Sequence, residues 1–313
     1  MIYFTFDPRP DLKDDLLRDF PDQEFIFENK VEEKYLKIAD ILVTYGEDLT
    51  EEHIEIADNL QWIMVVSAGL EKMPLQKIAE RNITVSNVRG IHKVPMAESV
   101  MAHLLANKRS LPWIYEKERK AEWNRKSKSK ELRDSTALIL GPGAIGGEIG
   151  RLLQCFGVKT IGCNRSGKKA DYMDKMTTFD DLLKVLPTVD IIISILPSTQ
   201  ETHHLLKAEH FKAMKDSAIF MNFGRGDLVE TNILKEALLQ KEIAFAICDV
   251  FEEEPLPQNH PFWNMDNITV SPHVSSHSSR YLERSFEIFK PNLRKWLNGD
   301  KQLENIIDPY KGY

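Results

Sequence analysis

Three stretches of the chain carry polar residues where a buried core would not place them. "MNFGRGDLVE" sets Arg225 between Gly224 and Gly226. "CDVFEEEPLP" sets Asp249 at the end of an apolar run and Glu254 just before Pro255, and "ITVSPHVSSH" sets His273 just past another such run. A guanidinium can hold a carboxylate through two parallel hydrogen bonds. An imidazole can give a proton to a developing alkoxide, and a carboxylate beside the ring orients it and favours its charged form. Taken singly, these are also ordinary surface groups: a loop cation, one of three solvated glutamates, a loop histidine. Beside a nucleotide site they form a complete set for hydride transfer to a 2-keto acid, which needs a cation for the carboxylate and a proton donor for the carbonyl oxygen.

A nucleotide site stands upstream of them. In "TALILGPGAIGGEIGRLLQCFG" the spacing Gly141-x-Gly143-x-x-Gly146 follows an apolar strand pattern and opens an amphipathic helix pattern. Gly141 allows the tight turn, Gly143 lets the backbone approach a pyrophosphate, and Gly146 lets helix and strand pack closely. The pyrophosphate then meets backbone N–H groups at the helix start, around Ala144 and Ile145, and the positive end of the helix dipole. About 20 residues on, at the end of the next strand pattern, an NAD site carries an acid for the ribose hydroxyls. Here the residues are Asn164, Arg165 and Ser166, an amide, a guanidinium and a hydroxyl. That trio suits a ribose 2′-phosphate, so NADP is the expected cofactor, with NAD possible. Arg165 also reads as a solvated turn cation that stacks on the adenine, which would serve NAD equally. His273 and His277 are four apart, a zinc spacing on a helix, but they follow a strand exit with no third ligand nearby, so no metal is expected. His203 and His204 are adjacent and expected to point apart.

The elements that must position these groups follow from hydrophobic patterning. Strand-length runs "IYFTF", "EFIF", "ADILVTYG", "QWIMVVSAG" and "ITVSN" alternate with helical patterns, and the alternation restarts with "TALILG", "VKTIGC", "VDIIISIL", "SAIFMN", "AFAICDV" and "ITVSP". Runs such as "VDIIISIL" lack polar alternation, as strands covered on both faces do. Between the two series a helical pattern runs from Pro95 to about Lys120, interrupted only at Pro112, and a solvated connection, "NRKSKSKELRDS", follows. Two α/β domains result, and 313 residues give each room for its own core. A net charge of −7 gives no pull towards nucleic acid or anionic membrane. No apolar run has the length of a membrane span, and the first residues lack the features of a signal peptide. Cys155, Cys163 and Cys248 have no C-x-x-C spacing and read as small hydrophobes in a reducing compartment, so a cytoplasmic location is expected.

From about Trp62 to Asn298 the chain resembles the D-isomer-specific 2-hydroxyacid dehydrogenases, which include glyoxylate/hydroxypyruvate reductases. The resemblance is carried, in the family's order, by "VSAGLEKMPL", "NVRGIHKVPMAE", "GPGAIGGEIG", "LPSTQETHHLL", "MNFGRGDLVE", "DVFEEEPLP" and "SPHVSS". It implies that Arg225 pairs with the substrate carboxylate, that His273 is the acid/base and that Glu254 is its partner. It implies that Asp249 supports the nicotinamide end and that Leu196, Pro197 and Thr202 pass beside the adenosine and phosphates. Phe223 and Gly224 join the cofactor contacts, and Ala68 and Gly69 form a substrate loop with Arg225 and His273. The implied architecture is a Rossmann-type doubly wound parallel sheet (residues 101–285) inserted into a smaller flavodoxin-like α/β substrate domain (1–100, with 286–313 returning to it). Family members are usually homodimers through the cofactor domain. The implied activity is NAD(P)H-dependent reduction of a small 2-keto acid, of the glyoxylate or hydroxypyruvate kind, to the D-2-hydroxy acid. A larger or phosphorylated substrate, or a non-catalytic nucleotide-sensing co-regulator of the same fold, are the alternatives. Two departures stand out: Pro142 replaces a more usual apolar residue, and the acid of NAD-linked members is missing at Asn164.

Overall fold

A computed structural model of the chain describes residues 1–67, 70 and 72–310. It divides into two compact units, Met1–Ile91 with Ser278–Tyr313, and His92–His277. The boundaries lie nine and eight residues before the expected 100/101 and 285/286. The Lys93–Lys108 helix belongs wholly with the second unit, where it packs on the Ala144–Cys155 helix, and the Tyr281–Leu297 helix belongs wholly with the first.

The first unit holds β1 (Ile2–Phe4), β2 (Phe25–Phe27), β3 (Ile41–Thr44), β4 (Trp62–Val65) and β5 (Thr84–Asn87), all parallel in the order β2-β1-β3-β4-β5. This is the flavodoxin-like order. Side chains alternate between two cores, as the pleat requires. Ile2, Phe4, Ile41, Val43, Trp62 and Met64 face the Tyr281–Leu297 helix through Phe286, Phe289 and Leu293. Tyr3, Leu42, Ile63 and Val65 face the other way, onto Ile54 and Ile78. Both faces are apolar, which is why these strands show no polar alternation.

The second unit holds seven parallel strands: β6 (Thr136–Leu140), β7 (Lys159–Cys163), β8 (Lys175–Thr177), β9 (Ile191–Ser194), β10 (Ile219–Asn222), β11 (Phe245–Cys248) and β12 (Ile268–Val270). Their order is β12-β11-β10-β9-β6-β7-β8, the Rossmann order with one further strand at the edge. Leu138, Leu140, Ile192, Phe220 and Ala246 fill one core, and Ala137, Ile139, Ile191, Ile193, Met221 and Ile247 the other. The chain leaves β6 towards β7 and β8, then returns to the opposite side at β9. The crevice at this reversal is where such sheets bind ligands.

Three local readings are corrected. The helical pattern from Pro95 breaks at Ser110, which takes a left-handed backbone (φ +56°), not at Pro112. Pro112 sits in the first turn of the next helix, Leu111–Arg119, where a missing N–H costs nothing. Strand β8 was not expected. It has three residues and no fully buried side chain, too little for a pattern. His203 and His204 do not point apart: His204 is left-handed (φ +49°), and the two rings stack with centroids 3.9 Å apart.

Candidate active site

The glycine loop leaves β6 as its spacing requires. Gly141 has φ +89°, and a Cβ on Gly146 would lie 2.4 Å from the Gly141 carbonyl oxygen, so only glycine lets the Ala144–Cys155 helix come this close to the strand. A Cβ on Gly143 would instead meet nothing within 4 Å, which leaves an open cradle over the helix start. No side chain caps this helix, and the first-turn N–H groups of Ala144, Ile145 and Gly146 have no intrahelical acceptor. A cleft of about 490 Å³ adjoins them, lined among others by Gly143, Ala144, Asn164 and Lys169. This donor set and cradle fit a dinucleotide pyrophosphate.

The loops after β7 and β9 are both fixed from within. After β7, Asn164 Oδ1 accepts from the Ser166 N–H (3.2 Å), while its Nδ2 donates to the Lys168 carbonyl (2.9 Å). Arg165 stands exposed at the tip of this turn and pairs with Glu201. After β9, Leu196 and Pro197 lead into a loop closed by buried Thr202. Its Oγ1 donates to the Pro197 carbonyl (2.6 Å) and accepts from the Thr199 N–H (2.9 Å).

After β10, buried Phe223 and Gly224 precede the exposed Arg225. A Cβ on Gly224 would lie 2.4 Å from the Leu196 carbonyl oxygen, and one on Gly226 1.9 Å from the Phe251 carbonyl carbon. The two glycines therefore press the arginine loop between its neighbours. Asn222 Nδ2 donates to the Arg225 carbonyl (2.9 Å), and Arg225 Nη1 donates to the Gly224 carbonyl (3.0 Å).

After β11 and β12 the acid and the histidine meet. His273 Nδ1 and Glu254 Oε2 are 2.8 Å apart, and Glu254 Oε1 accepts from the Phe251 N–H (2.9 Å). That geometry makes Nδ1 the donor to the carboxylate and leaves Nε2 as the ring's other nitrogen. The neighbouring acids are separated by use. Glu252 takes the Thr231 hydroxyl (2.6 Å) and His204 Nε2 (3.0 Å). Burial would raise the Glu252 pKa, but the Thr231 and His204 hydrogen bonds outweigh it and hold the carboxyl below its usual range. A pocket of about 530 Å³ lies against the pair, walled by Phe251, Leu256, Trp263 and Val270.

Asp249 is 1% exposed, and its carboxylate is taken up by hydrogen bonds. It accepts from the Ser271 hydroxyl, the Val274 N–H (3.0 Å) and the Ser275 N–H (3.1 Å), and its own carbonyl accepts from the His273 N–H (2.9 Å). His273 has φ +54°, an uncommon conformation for a histidine, and these bonds on both sides of it hold the turn. Sequence reasoning did not single out Ser271, Glu201 or His103. His103, on the Lys93–Lys108 helix, has its ring 5.9 Å from Phe223; burial lowers its pKa against the opposing pull of Asp249. Ala68 and Gly69 lie outside the described residues. Among those described, no three His, Cys, Asp or Glu side chains converge on a possible metal position.

Fold and site together define a dinucleotide-binding α/β enzyme with its polar side chains on the loops after the parallel strands. Residues 101–275 match the model of the D-isomer specific 2-hydroxyacid dehydrogenase, NAD binding domain. The chain is 30% identical over 267 residues to the glyoxylate reductase of Thermofilum pendens, covering 83% of this chain and 78% of that protein. It is 31% identical over 277 residues to the D-3-phosphoglycerate dehydrogenase of Methanocaldococcus jannaschii, covering 87% of this chain but 52% of that one. The crystal structure of a D-isomer specific 2-hydroxyacid dehydrogenase family protein from Aeromonas salmonicida superposes with a TM-score of 0.85 at 31% identity, over 98% of each chain. The chain belongs to the D-isomer specific 2-hydroxyacid dehydrogenase family and is an oxidoreductase with an NAD(P)-binding domain. No helix among the described residues is long and apolar enough to cross a membrane.

Proposed function

We propose that this enzyme reduces a small 2-keto acid of the glyoxylate or hydroxypyruvate kind to its D-2-hydroxy acid, with NADPH preferred to NADH. The observation that carries the reading is the His273 Nδ1–Glu254 Oε2 contact of 2.8 Å, made by loops of the same sheet edge that presents Arg225. Glu254 fixes the tautomer, so the transferable proton sits on Nε2 of His273 and goes to the carbonyl oxygen of the substrate as it is reduced. The Arg225 guanidinium binds the substrate carboxylate and polarises its carbonyl. Gly141–Gly146, Asn164–Ser166, Leu196–Pro197 and Phe223–Gly224 would hold the nicotinamide cofactor, which would supply the hydride. Asp249 acts by fixing the His273 turn beside the nicotinamide end. The glyoxylate reductase relative, matched over most of its own length, supports a small substrate. Asn164 and Arg165 in place of an acid support NADP.

A panel of 2-keto acids assayed with NADPH and with NADH tests this reading. Glyoxylate or hydroxypyruvate should turn over with the higher kcat/KM for NADPH, and His273→Ala should lower kcat by about 10²–10⁴-fold. Equal use of both cofactors would remove the NADP assignment, and a His273→Ala enzyme within threefold of wild type would remove the proton donor.

The homodimer is part of the same proposal. The Leu111–Arg119 helix has no buried residue and Trp123 is 95% exposed, an apolar surface on the cofactor unit that a second copy would cover. Light scattering should give twice the chain mass, and Trp123→Ser should shift it towards the monomer. The absence of paired cysteines fits a cytoplasmic location.

A further inference from the structure

Arg165 and Glu201 come from different edges of the nucleotide crevice. Arg165 stands on the turn after β7 and Glu201 on the loop after β9, 36 residues apart, and their side chains are paired. Neither backbone has to move to make the contact. The Asn164 hydrogen bonds to Ser166 and Lys168 fix the turn under Arg165. Glu201 directly precedes Thr202, whose side chain closes its loop onto Pro197 and Thr199, and the His204 N–H ties the same loop to the Asp227 carbonyl (2.7 Å). The pair is thus presented by two preformed surfaces.

We propose that Glu201 is a specificity-determining residue, which competes with a ribose 2′-phosphate for the Arg165 guanidinium. The inference rests on the reading that Arg165 recognises that phosphate. Glu201 is bound through Arg165 Nη2, and both two-bond forks of a guanidinium, Nη1/Nη2 and Nε/Nη2, include that nitrogen, so a phosphate monoester held by a fork competes with Glu201 for it. A 2′-phosphate must therefore displace Glu201 and leave that carboxylate close to its own negative charge. A ribose with a free 2′-hydroxyl incurs neither cost. Glu201 thus narrows the gap between NADP and NAD that Arg165 would otherwise open. This predicts an enzyme that prefers NADPH but is not strict, with Glu201 setting the ratio.

The strength of the effect follows from exposure. The side chains are 74% and 49% exposed, so the pair is well solvated and its removal changes affinity by a small factor. The test is calorimetric binding of two probes, adenosine 2′,5′-bisphosphate and adenosine 5′-diphosphate, to the full chain at low ionic strength. Glu201→Gln keeps shape and polarity but removes the charge. It should tighten the 2′,5′-bisphosphate by about two- to fivefold and leave the 5′-diphosphate unchanged. The gain should shrink in 0.5 M salt, where screening acts over about 4 Å. Arg165→Ala should weaken the 2′,5′-bisphosphate, and adding Glu201→Gln to it should then change nothing, because the partner is already gone. An unchanged or weaker 2′,5′-bisphosphate in Glu201→Gln, with Arg165→Ala still weakening it, overturns the role of Glu201 alone. If Arg165→Ala changes neither probe, the NADP reading falls and this inference falls with it.

Discussion

Glu254 divides its two oxygens between two donors, the Phe251 N–H at 2.9 Å and His273 Nδ1 at 2.8 Å. Glu254→Gln is therefore a sharp perturbation, because an amide has only one acceptor oxygen. If that oxygen faces Phe251, the NH₂ group points at Nδ1, which must then act as acceptor; the tautomer reverses and a doubly protonated ring is opposed. If the oxygen faces His273, the NH₂ group abuts the Phe251 N–H, donor against donor. Either way one charge-assisted hydrogen bond is lost, and such bonds contribute about 1.5–3 kcal/mol. At about 1.4 kcal/mol per decade the lost bond slows the reaction by about 10- to 150-fold. The Michaelis constant for the keto acid should move much less, since Arg225 is untouched. Steady-state reduction at saturating cofactor measures both, and circular dichroism checks that the fold survives. A Glu254→Gln enzyme with kcat within threefold of wild type would refute the orienting role. Glu252 could not take it over without releasing Thr231 and His204.

Gly226→Ala places a Cβ where the Phe251 carbonyl carbon now stands, 1.9 Å away, so the loops carrying Arg225 and Glu254 must part; kcat/KM should fall about 100-fold or more, and activity near wild type would show that the loops yield freely. Asp249→Asn offers one acceptor to three donors, and amide hydrogen exchange at Val274 and Ser275 should quicken; unchanged protection would mean that the His273 turn stands without the carboxylate. Burial pushes the Cys163 and Cys248 thiols up to about 12, so at pH 8 a thiol reagent should titrate Cys155 alone in the native chain and all three cysteines after denaturation; a second fast native thiol would contradict this burial.

What the sequence shows well is whatever depends on local spacing. Apolar runs without alternation became parallel strands buried on both faces, and Gly141, Gly143 and Gly146 occupy the turn, the open cradle and the close contact that their spacing implies. Arg225 and His273 could be singled out as polar residues just past an apolar run, and Glu254 as the acid before Pro255. What it shows poorly depends on groups far apart in the chain. Only the following Pro255 marks Glu254 off from Glu252 locally; the path of the loop gives one to Thr231 and His204 and the other to His273. The stacked histidines escape an argument from strand geometry because His204 has a left-handed backbone. Glu201 lies within "LPSTQETHHLL" but nothing in that stretch singles it out, and its meaning comes from a partner on another loop.

The same contrast bears on why the arginine is set between glycines. Neither Gly224 nor Gly226 has positive φ, so turn chemistry does not call for them. Their neighbours do. One glycine lets the β10 loop touch the Leu196 backbone, the other lets it touch the Phe251 backbone, and the Asp249 carboxylate then ties the β11 end to the turn that holds His273. From Leu196 to His273 the four loops are joined by contacts to main-chain atoms or to one buried carboxylate. Main-chain atoms cannot swing through rotamers, so these contacts fix distances that side chains alone would leave loose. The exposed groups at the surface of this ledge, Arg225, Glu254 and His273, can then be solvated and still be held in register. The proposed hydride and proton transfer would need that register, because a misplacement of about 1 Å costs as much as about 100-fold in rate.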